Sequence, residues 1–302
     1  MQAVLLAAGK GVRVMPFTCT RPKPMIPVAN KPILQHDIEQ LEGLVDEVIL
    51  VVGYLKEKIQ DYFGTVFNGM KITYVEQKEY LGTGHALLQA EKLINGKFIV
   101  MYGDDLYHCD DIKSCLAHDL CVLVKNVANP GMFGIINSQD GKVADIVEKP
   151  ENPESNLANT GLYVFDKSIF PILESVSRSK RGEYELTDAV LELSKLRDIY
   201  CETVRKSWIP MGYLHNILDA NEIKVAEVFE AGGSFIDKNS VVEDGAVLKG
   251  DVKIGSGTVV RAGTYIEGPC IIGENSKIGP NAYIRSGTVI GDNCHIGASV
   301  EL

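Results

Sequence analysis

From residue 236 to residue 296 an aliphatic side chain recurs at every sixth position: Ile236, Val242, Leu248, Ile254, Val260, Ile266, Ile272, Ile278, Ile284, Ile290 and Ile296. From Val242 onward, the residue two places earlier is small or is Val, as at Ser240, Ala246, Val252, Thr258, Cys270 and Ser276. Glycine often follows directly, as at Gly255, Gly273, Gly279, Gly291 and Gly297. A period of six matches neither the 3.6 of an α-helix nor the 2 of a simple strand. It fits a coil with three flat faces, one hexapeptide per face, with each aliphatic residue pointing inward. That is the hexapeptide-repeat parallel β-helix, and it is expected over residues 234–302.

The preceding part of the chain follows another rule. Val4-Leu5-Leu6, Val48 to Val52, Phe98 to Met101 and Cys121 to Val124 are unbroken apolar runs. Strands buried on both faces of a mostly parallel sheet read this way. Helical patterns lie between and after them, over residues 33–42 and 85–93, and where Leu186, Ala189, Val190 and Leu193 share one face. An α/β domain over residues 1–213 follows. Residues 214–233 form a linker helix, with Leu214, Ile217, Leu218, Val225, Val228 and Phe229 as its apolar face and Ala231-Gly232-Gly233 as its end.

Composition excludes several classes. The net charge of −10 speaks against a nucleic-acid partner, though a few local cations suffice for one nucleotide. No apolar run approaches the roughly 20 residues needed to cross a bilayer, and no basic region precedes Ala3 to Ala8, so that run reads as a first strand rather than a signal peptide. Seven cysteines with no C-x-x-C spacing read as the reduced thiols of a cytoplasmic protein. The group His108, Cys109, Cys115 and His118 matches no zinc spacing.

Chemistry concentrates after the first strand, at Leu6-Ala7-Ala8-Gly9-Lys10-Gly11-Val12-Arg13. The Gly-Lys-Ser/Thr of a Walker A loop is absent, and Val14 stands where a dinucleotide fingerprint needs a third glycine or alanine. What remains is a tight turn, or a loop whose N–H groups approach phosphates. The loop continues through Pro16-Phe17-Thr18, Arg21-Pro22-Lys23-Pro24-Met25-Ile26-Pro27-Val28 and Asn30-Lys31-Pro32. This long stretch resembles the signature of the sugar-1-phosphate nucleotidylyltransferases, with Val14 the clearest departure. The resemblance extends over most of residues 1–215 and implies a Rossmann-like domain that joins an NTP to a hexose-1-phosphate. It implies that Leu6, Ala8, Gly9 and Gly11 bind nucleotide, that Arg13 clamps the departing phosphates, and that Lys23 bridges the incoming and α-phosphates. Bidentate guanidinium and compact ammonium suit those tasks.

Six later segments carry the resemblance further. Gln77 and Leu81-Gly82-Thr83-Gly84-His85-Ala86 match the base-recognition element in the form seen in N-acetylglucosamine uridylyltransferases. The implied roles are an amide at Gln77 reading uracil or thymine, and close approach of the base at Gly82 and Thr83; Thr83 also reads as a helix N-cap. Gly103-Asp104 matches the strand end whose Asp holds Mg²⁺, and Asp105 is read as an outer-shell or surface neighbour. Gly131 to Gly134, Val147 to Pro150 and Ala158 to Gly161 match the sugar elements. They imply sugar contacts from Gly134, Glu148, Lys149, Asn159 and Thr160. Gly182 to Asp188 matches a further element, where Thr187-Asp188 also reads as a helix start.

One departure concerns the metal. Relatives with W-x-D-(I/V)-G-T have an acidic second ligand where this chain has Pro210, leaving Asn216, Asp219 or water for that place. In bifunctional relatives such a β-helix carries acetyl transfer and trimerises. Here the repeat stops partway through a coil, which predicts a truncated chain or an end covered by homo-oligomerisation, and His295 reads as a surface residue. The expectation is transfer from UTP or dTTP to a hexose-1-phosphate, with N-acetylglucosamine-1-phosphate and UTP favoured and glucose-1-phosphate next. The alternatives are a non-catalytic scaffold or regulatory subunit, and acetyl transfer by the β-helix of a longer parent chain.

Overall fold

The computed structural model describes residues 1–302. Two compact units are present: Met1–Ile26 with Ile33–Gly212, and Pro27–Pro32 with Tyr213–Leu302.

The first unit is built on one ten-stranded sheet. Its parallel centre runs Phe98–Tyr102, Gln2–Ala7, Glu47–Val52, Met70–Glu76. Gln2–Ala7 is buried at every residue, as its unbroken apolar run predicts. Leu157–Phe165 enters antiparallel between Phe98–Tyr102 and Cys121–Asn126, and its pairing with Cys121–Asn126 shifts register between Asn159 and Tyr163. The hairpin Gly134–Gln139/Lys142–Glu148 extends the far side. Two apolar clusters cover the two faces, one including Leu87, Phe98, Tyr163, Phe170, Leu186 and Val190, the other Leu5, Leu34, Ile38, Leu50 and Tyr107. The face Leu186, Ala189, Val190, Leu193 of helix Leu186–Ser194 is fully buried, as its 3.6 spacing requires.

The second unit contains the coil. Its strands form three parallel sheets in which each residue pairs with the one eighteen later: Lys253 with Ile271, Val259 with Lys277, Tyr265 with Tyr283. Eighteen residues are three hexapeptides, so each turn stacks on the last in unchanged phase. Ile254, Val260, Ile266, Ile272, Ile278 and Ile284 are buried, and the small residues Val252, Cys270 and Ala282 are buried with them. The first member of the series departs from the pattern: Ile236 is 47 % exposed because no earlier turn covers it. Buried hydroxyls stitch the turns. Thr258 Oγ1 donates to Gly273 O (2.7 Å) and accepts from Ser276 N (3.0 Å); Ser276 Oγ donates to Gly291 O (2.9 Å) and accepts from Cys294 N (3.0 Å).

The helix Leu214–Gly232 belongs to this second unit. Its apolar face is the expected one at Val225, which is buried, but not at its start: Leu218 is 73 % exposed and Leu214 is also exposed, while Ala220 and Lys224 are buried. Asn221 fixes the rotation: its carbonyl accepts from Ala29 N (3.0 Å) and its amide donates to Gly287 O (3.3 Å). Lys253 Nζ donates to Val228 O (3.0 Å) on the same side. Polar anchors thus outweigh the two outer leucines. Asn30, at the turn of the Pro27–Pro32 hairpin, donates to Ile290 O (2.8 Å).

Candidate active site

The glycine-rich loop leaves the strand Gln2–Ala7 where the sheet centre is most buried. Leu6 O accepts from Gly103 N (3.0 Å) and Ala8 O from Tyr54 N (3.1 Å), so both residues are pinned by neighbouring chain. Gly9 is exposed with open space at its missing Cβ. Gly11 has φ +61°, and a Cβ there would stand 2.8 Å from Lys23 Cβ and 3.0 Å from Thr18 Cγ2. Only glycine fits both the conformation and the space. Thr18 Oγ1 closes the loop by donating to Gly11 O (2.9 Å). Arg13 lies exposed in the short 3₁₀ turn Val12–Val14, and Val14, the departure in the signature, is buried.

Lys23 is 7 % exposed, unusual for a lysine without a partner. Its ammonium meets Asp104 Oδ2 at 2.6 Å. Residues 81 apart in sequence therefore share one charge-assisted contact at the end of strand Phe98–Tyr102. Asp105 departs from the surface half of its expectation. It is buried, with Oδ2 accepting from Trp208 Nε1 (3.2 Å) and Oδ1 from Met211 N (2.9 Å). Burial first, and Asp104 second, push its carboxyl up to about 7. Asp105 therefore anchors the segment that carries Pro210.

Gln77 follows strand Met70–Glu76 and is buried. Its amide nitrogen lies 3.1 Å from Gly82 O and 3.1 Å from His85 Nδ1, and its amide oxygen makes no hydrogen bond within the chain. Gly82 has φ +104°, and a Cβ there would lie 2.6 Å from Tyr184 O. The need for glycine here comes from packing against the Glu183-Tyr184 backbone. Gly82 is also the N-cap, not Thr83, which is the first helical residue; Thr83 Oγ1 instead accepts from Leu186 N (3.1 Å).

The remaining residues converge from three strands and a loop. Gly134 is paired with Glu148 across the hairpin, and a Cβ on Gly134 would stand 2.9 Å from Glu148 Oε2, 3.1 Å from Thr187 Cγ2 and 3.6 Å from Asn159 Nδ2. Glu148 Oε1 lies 3.4 Å from Lys149 Nζ and 3.5 Å from Arg181 Nη1. Asn159 Nδ2 donates to Tyr163 OH (2.6 Å), and its Oδ1 accepts from Gly161 N (3.0 Å). Thr160 turns away from this group: its hydroxyl donates to Leu123 O (2.9 Å) and its carbonyl accepts from Tyr107 OH (2.7 Å). Register shifts after Asn159, which is why neighbouring residues face different partners.

Several participants lay beyond sequence reasoning. Tyr102 packs edge-on against Tyr163, their ring centroids 6.4 Å apart. Burial, Tyr163 and Glu148 raise its pKa well above the usual phenol value. Glu185 is 4 % exposed, and burial, then Glu148, raise its carboxyl; burial and Glu148 raise Asp188 likewise. Elsewhere, His108, Cys109 and Asp110 place ligand-type atoms within 4.8 Å of one another. His108 Nδ1 is engaged as the N-cap of helix Cys109–Leu116, accepting from Asp110 N, and the positive end of a helix disfavours a cation. Asn216 Oδ1, considered as a metal ligand, is engaged in accepting from Tyr213 N (2.9 Å).

A parallel-centred α/β sheet with a glycine loop, a buried lysine paired with a part-exposed aspartate and a charged cluster around Glu148, followed by a six-residue-period coil, defines a nucleotide-handling transferase class. The chain matches the Nucleotidyl transferase family over residues 2–227 and the bacterial transferase hexapeptide repeat over residues 269–302. It belongs to the nucleotidyl transferase family, and its coil is a left-handed β-helix. It is 43 % identical over 258 residues to the bifunctional protein GlmU of Methanocaldococcus jannaschii, covering 85 % of this chain and 61 % of that one. The chain thus spans about three fifths of the length of such relatives. It is 40 % identical over 199 residues to the UTP--glucose-1-phosphate uridylyltransferase AglF of Haloferax volcanii, covering 63 % of this chain and 82 % of that one. A UDP-glucose pyrophosphorylase solved with UDP-glucose superposes with a TM-score of 0.69 at 29 % identity, covering 75 % and 98 % of the two chains. No helix is long and apolar enough to cross a membrane.

Proposed function

We propose that this chain transfers a nucleotidyl group from UTP or dTTP to a hexose-1-phosphate. A phosphate oxygen of the sugar phosphate forms a bond to the α-phosphorus, the bond from that phosphorus to the bridging β-oxygen breaks, and pyrophosphate leaves. The observation that carries the reading is buried Lys23, paired with part-exposed Asp104 and packed against the Gly11 turn. A buried ammonium at the edge of such a loop is a ready counter-charge for an α-phosphate and its attacking phosphate. Arg13, exposed on the same loop, is the cation for the departing phosphates.

Gln77 supports a pyrimidine with a protonated N3. With its nitrogen engaged by Gly82 and His85, the amide oxygen is left to accept such an N–H. Glu148 and Asn159 are the sugar-hydroxyl or acyl partners, with Gly134 keeping the floor open, and Lys149 reaches for the sugar phosphate. The favoured pair is UTP with N-acetylglucosamine-1-phosphate, followed by glucose-1-phosphate with dTTP or UTP.

The donor set fits one hard divalent cation of the Mg²⁺ type. Asp104 is partly exposed, while both oxygens of Asp105 are engaged and Pro210 offers no ligand, so Asp104 and substrate phosphates would hold it. When bound, it neutralises triphosphate charge. Homo-oligomerisation through the β-helix belongs to the same reading.

The test is pyrophosphate release with Mg²⁺, crossing UTP, dTTP, ATP and GTP against the three sugar phosphates of glucose, N-acetylglucosamine and glucosamine, with Arg13→Ala alongside. Turnover with UTP or dTTP that collapses in Arg13→Ala is the expected result. Absence of turnover with every pair, in folded protein, would overturn the reading in favour of a non-catalytic subunit.

A further inference from the structure

Resting on the sugar reading of the Glu148 cluster, we propose that Arg181 is a specificity-determining residue: its guanidinium fills the cation position shared by Glu148, Glu183 and Glu185, turning the site towards hexose phosphates with an uncharged ring and away from those bearing an ammonium.

Arg181 is shared among three carboxylates. Nη1 lies 3.2 Å from Glu185 Oε1 and 3.5 Å from Glu148 Oε1, and Nη2 lies 3.6 Å from Glu183 Oε2. Glu185 is almost fully buried and Arg181 is its ion-pair partner; Lys149 reaches Glu148 alone. Three carboxylates thus face two cations, Arg181 and Lys149, and loss of Arg181 leaves one cation for three. Burial together with Glu148 already raises both Glu185 and Asp188, so like charges strain this cluster even with Arg181 present.

The guanidinium is held in place. Arg181 N donates to Ser179 Oγ (3.2 Å), which donates to Glu185 Oε1 (3.1 Å), and Gly182 N donates to Ser179 O (2.8 Å). Downstream, Tyr184 N donates to Leu81 O (2.7 Å) and accepts at its carbonyl from Gly84 N (2.8 Å), tying the loop to the base-recognition turn. At 43 % exposure the Arg181 side chain sits at the mouth of the cluster rather than inside it. An incoming ring ammonium would have to compete with Arg181 for the same carboxylate oxygens, whereas a hydroxyl or acylamide needs only hydrogen bonds to Glu148 and Asn159. Removing Arg181 leaves a vacancy that a ligand ammonium can fill.

The experiment compares kcat/KM for glucosamine-1-phosphate and glucose-1-phosphate at saturating UTP and neutral pH, in the full chain and in Arg181→Ala, Arg181→Lys and Arg178→Ala. Arg178, on the same loop, lies over the Tyr184 ring at 5.2 Å and controls for loss of a loop charge. In Arg181→Ala the ratio should shift towards glucosamine-1-phosphate by about tenfold, one unmatched charge in a part-buried site being worth at least that much. Arg181→Lys should keep the wild-type ratio, as should Arg178→Ala. If Arg181 merely pins the loop, Arg181→Ala loses activity equally with both sugars and the ratio stays put, which overturns the proposal. If wild type turns over neither sugar, nucleotidyl transfer itself has failed. Calorimetric binding of the two sugar phosphates to wild type and Arg181→Ala then decides: the same shift supports the proposal, and equal affinities or no binding by either protein overturn it.

Discussion

The two units handle buried polar atoms in opposite ways. In the β-helix, Thr258 and Ser276 each give their proton to a carbonyl fifteen residues on and accept an N–H from eighteen residues on. Every such bond is internal and repeats with the coil. In the α/β unit, Lys23 meets Asp104, and Glu148 joins Glu185 through Arg181, from distant segments, and polar pairing is incomplete: Gln77 keeps an unpaired oxygen and Glu185 sits raised beside Glu148. A periodic stack can satisfy most of its groups, Thr264 Oγ1 excepted, because the neighbour of each residue is a copy of its own environment. A binding site holds groups short of full satisfaction so that a ligand completes them.

The comparison is tested most sharply at Lys23. Lys23→Ala should cut turnover of the best NTP and sugar pair by about a thousandfold, a preorganised charge at a phosphoryl centre being worth that order, while the melting temperature of the coil stays unchanged. A loss below tenfold would remove Lys23 from the machinery. Next is the coil interior. Ile272→Ala, fully inside the stack, should cost about 2–5 kcal/mol, with amide exchange rising on the strands Val252–Ile254 and Val289–Ile290 that flank it. Uniform exchange over the whole chain would show that the coil is not a separate cooperative stack.

A third effect belongs to the first unit. Burial raises the Glu47 carboxyl, but hydrogen bonds from Lys71, Thr73 and Gln2 outweigh it and bring the pKa down to about 2 from 4.5. The folded state then binds fewer protons than the unfolded state between these values. The stabilisation is complete above pH 4.5 and disappears as pH falls through about 2; it amounts to about 2 kcal/mol after allowance for screening. Glu47→Gln should flatten that acid limb in denaturant titrations, and an unchanged limb would discount the network. The smallest effect separates two hydroxyls of the coil. Ser276→Ala breaks two turn-to-turn bonds and should cost about 1–2 kcal/mol. Thr264 Oγ1 is buried without a partner, so Thr264→Ala should fall within about 0.5 kcal/mol of wild type. Equal costs would mean that the ladder contributes only by volume.

The coil was legible because its rule is local. An aliphatic residue every six positions set which side chains point inward from Ile254 to Ile290, and the uncovered end, at Ile236, escaped the rule. The buried strands and the Leu186–Ser194 helix were legible for the same reason. The long signature from Leu6 to Pro32 marked the loop, and its Lys23 does meet Asp104. Beyond that, pattern reading failed where partners are remote. Asp105 read as a surface neighbour because nothing nearby announces Trp208 and Met211 as its donors. Leu214 and Leu218 read as a buried face because the pattern cannot weigh Asn221 and Lys253, which set the helix rotation through hydrogen bonds. Arg181 and Glu185 carried no motif signal beyond the Gly182–Asp188 element.

The sequence by itself determined the period of the coil, the α/β character of the first unit and the identity of the loop residues, since each is written in spacing along the chain. Only the tertiary structure decided that Lys23 is buried against Asp104, that Asp105 is a structural anchor, and that Glu148, Glu185 and Arg181 form one charged cluster. Those facts depend on desolvation and on pairing between residues 33 to 106 positions apart, and neither quantity exists until the strands are brought into register.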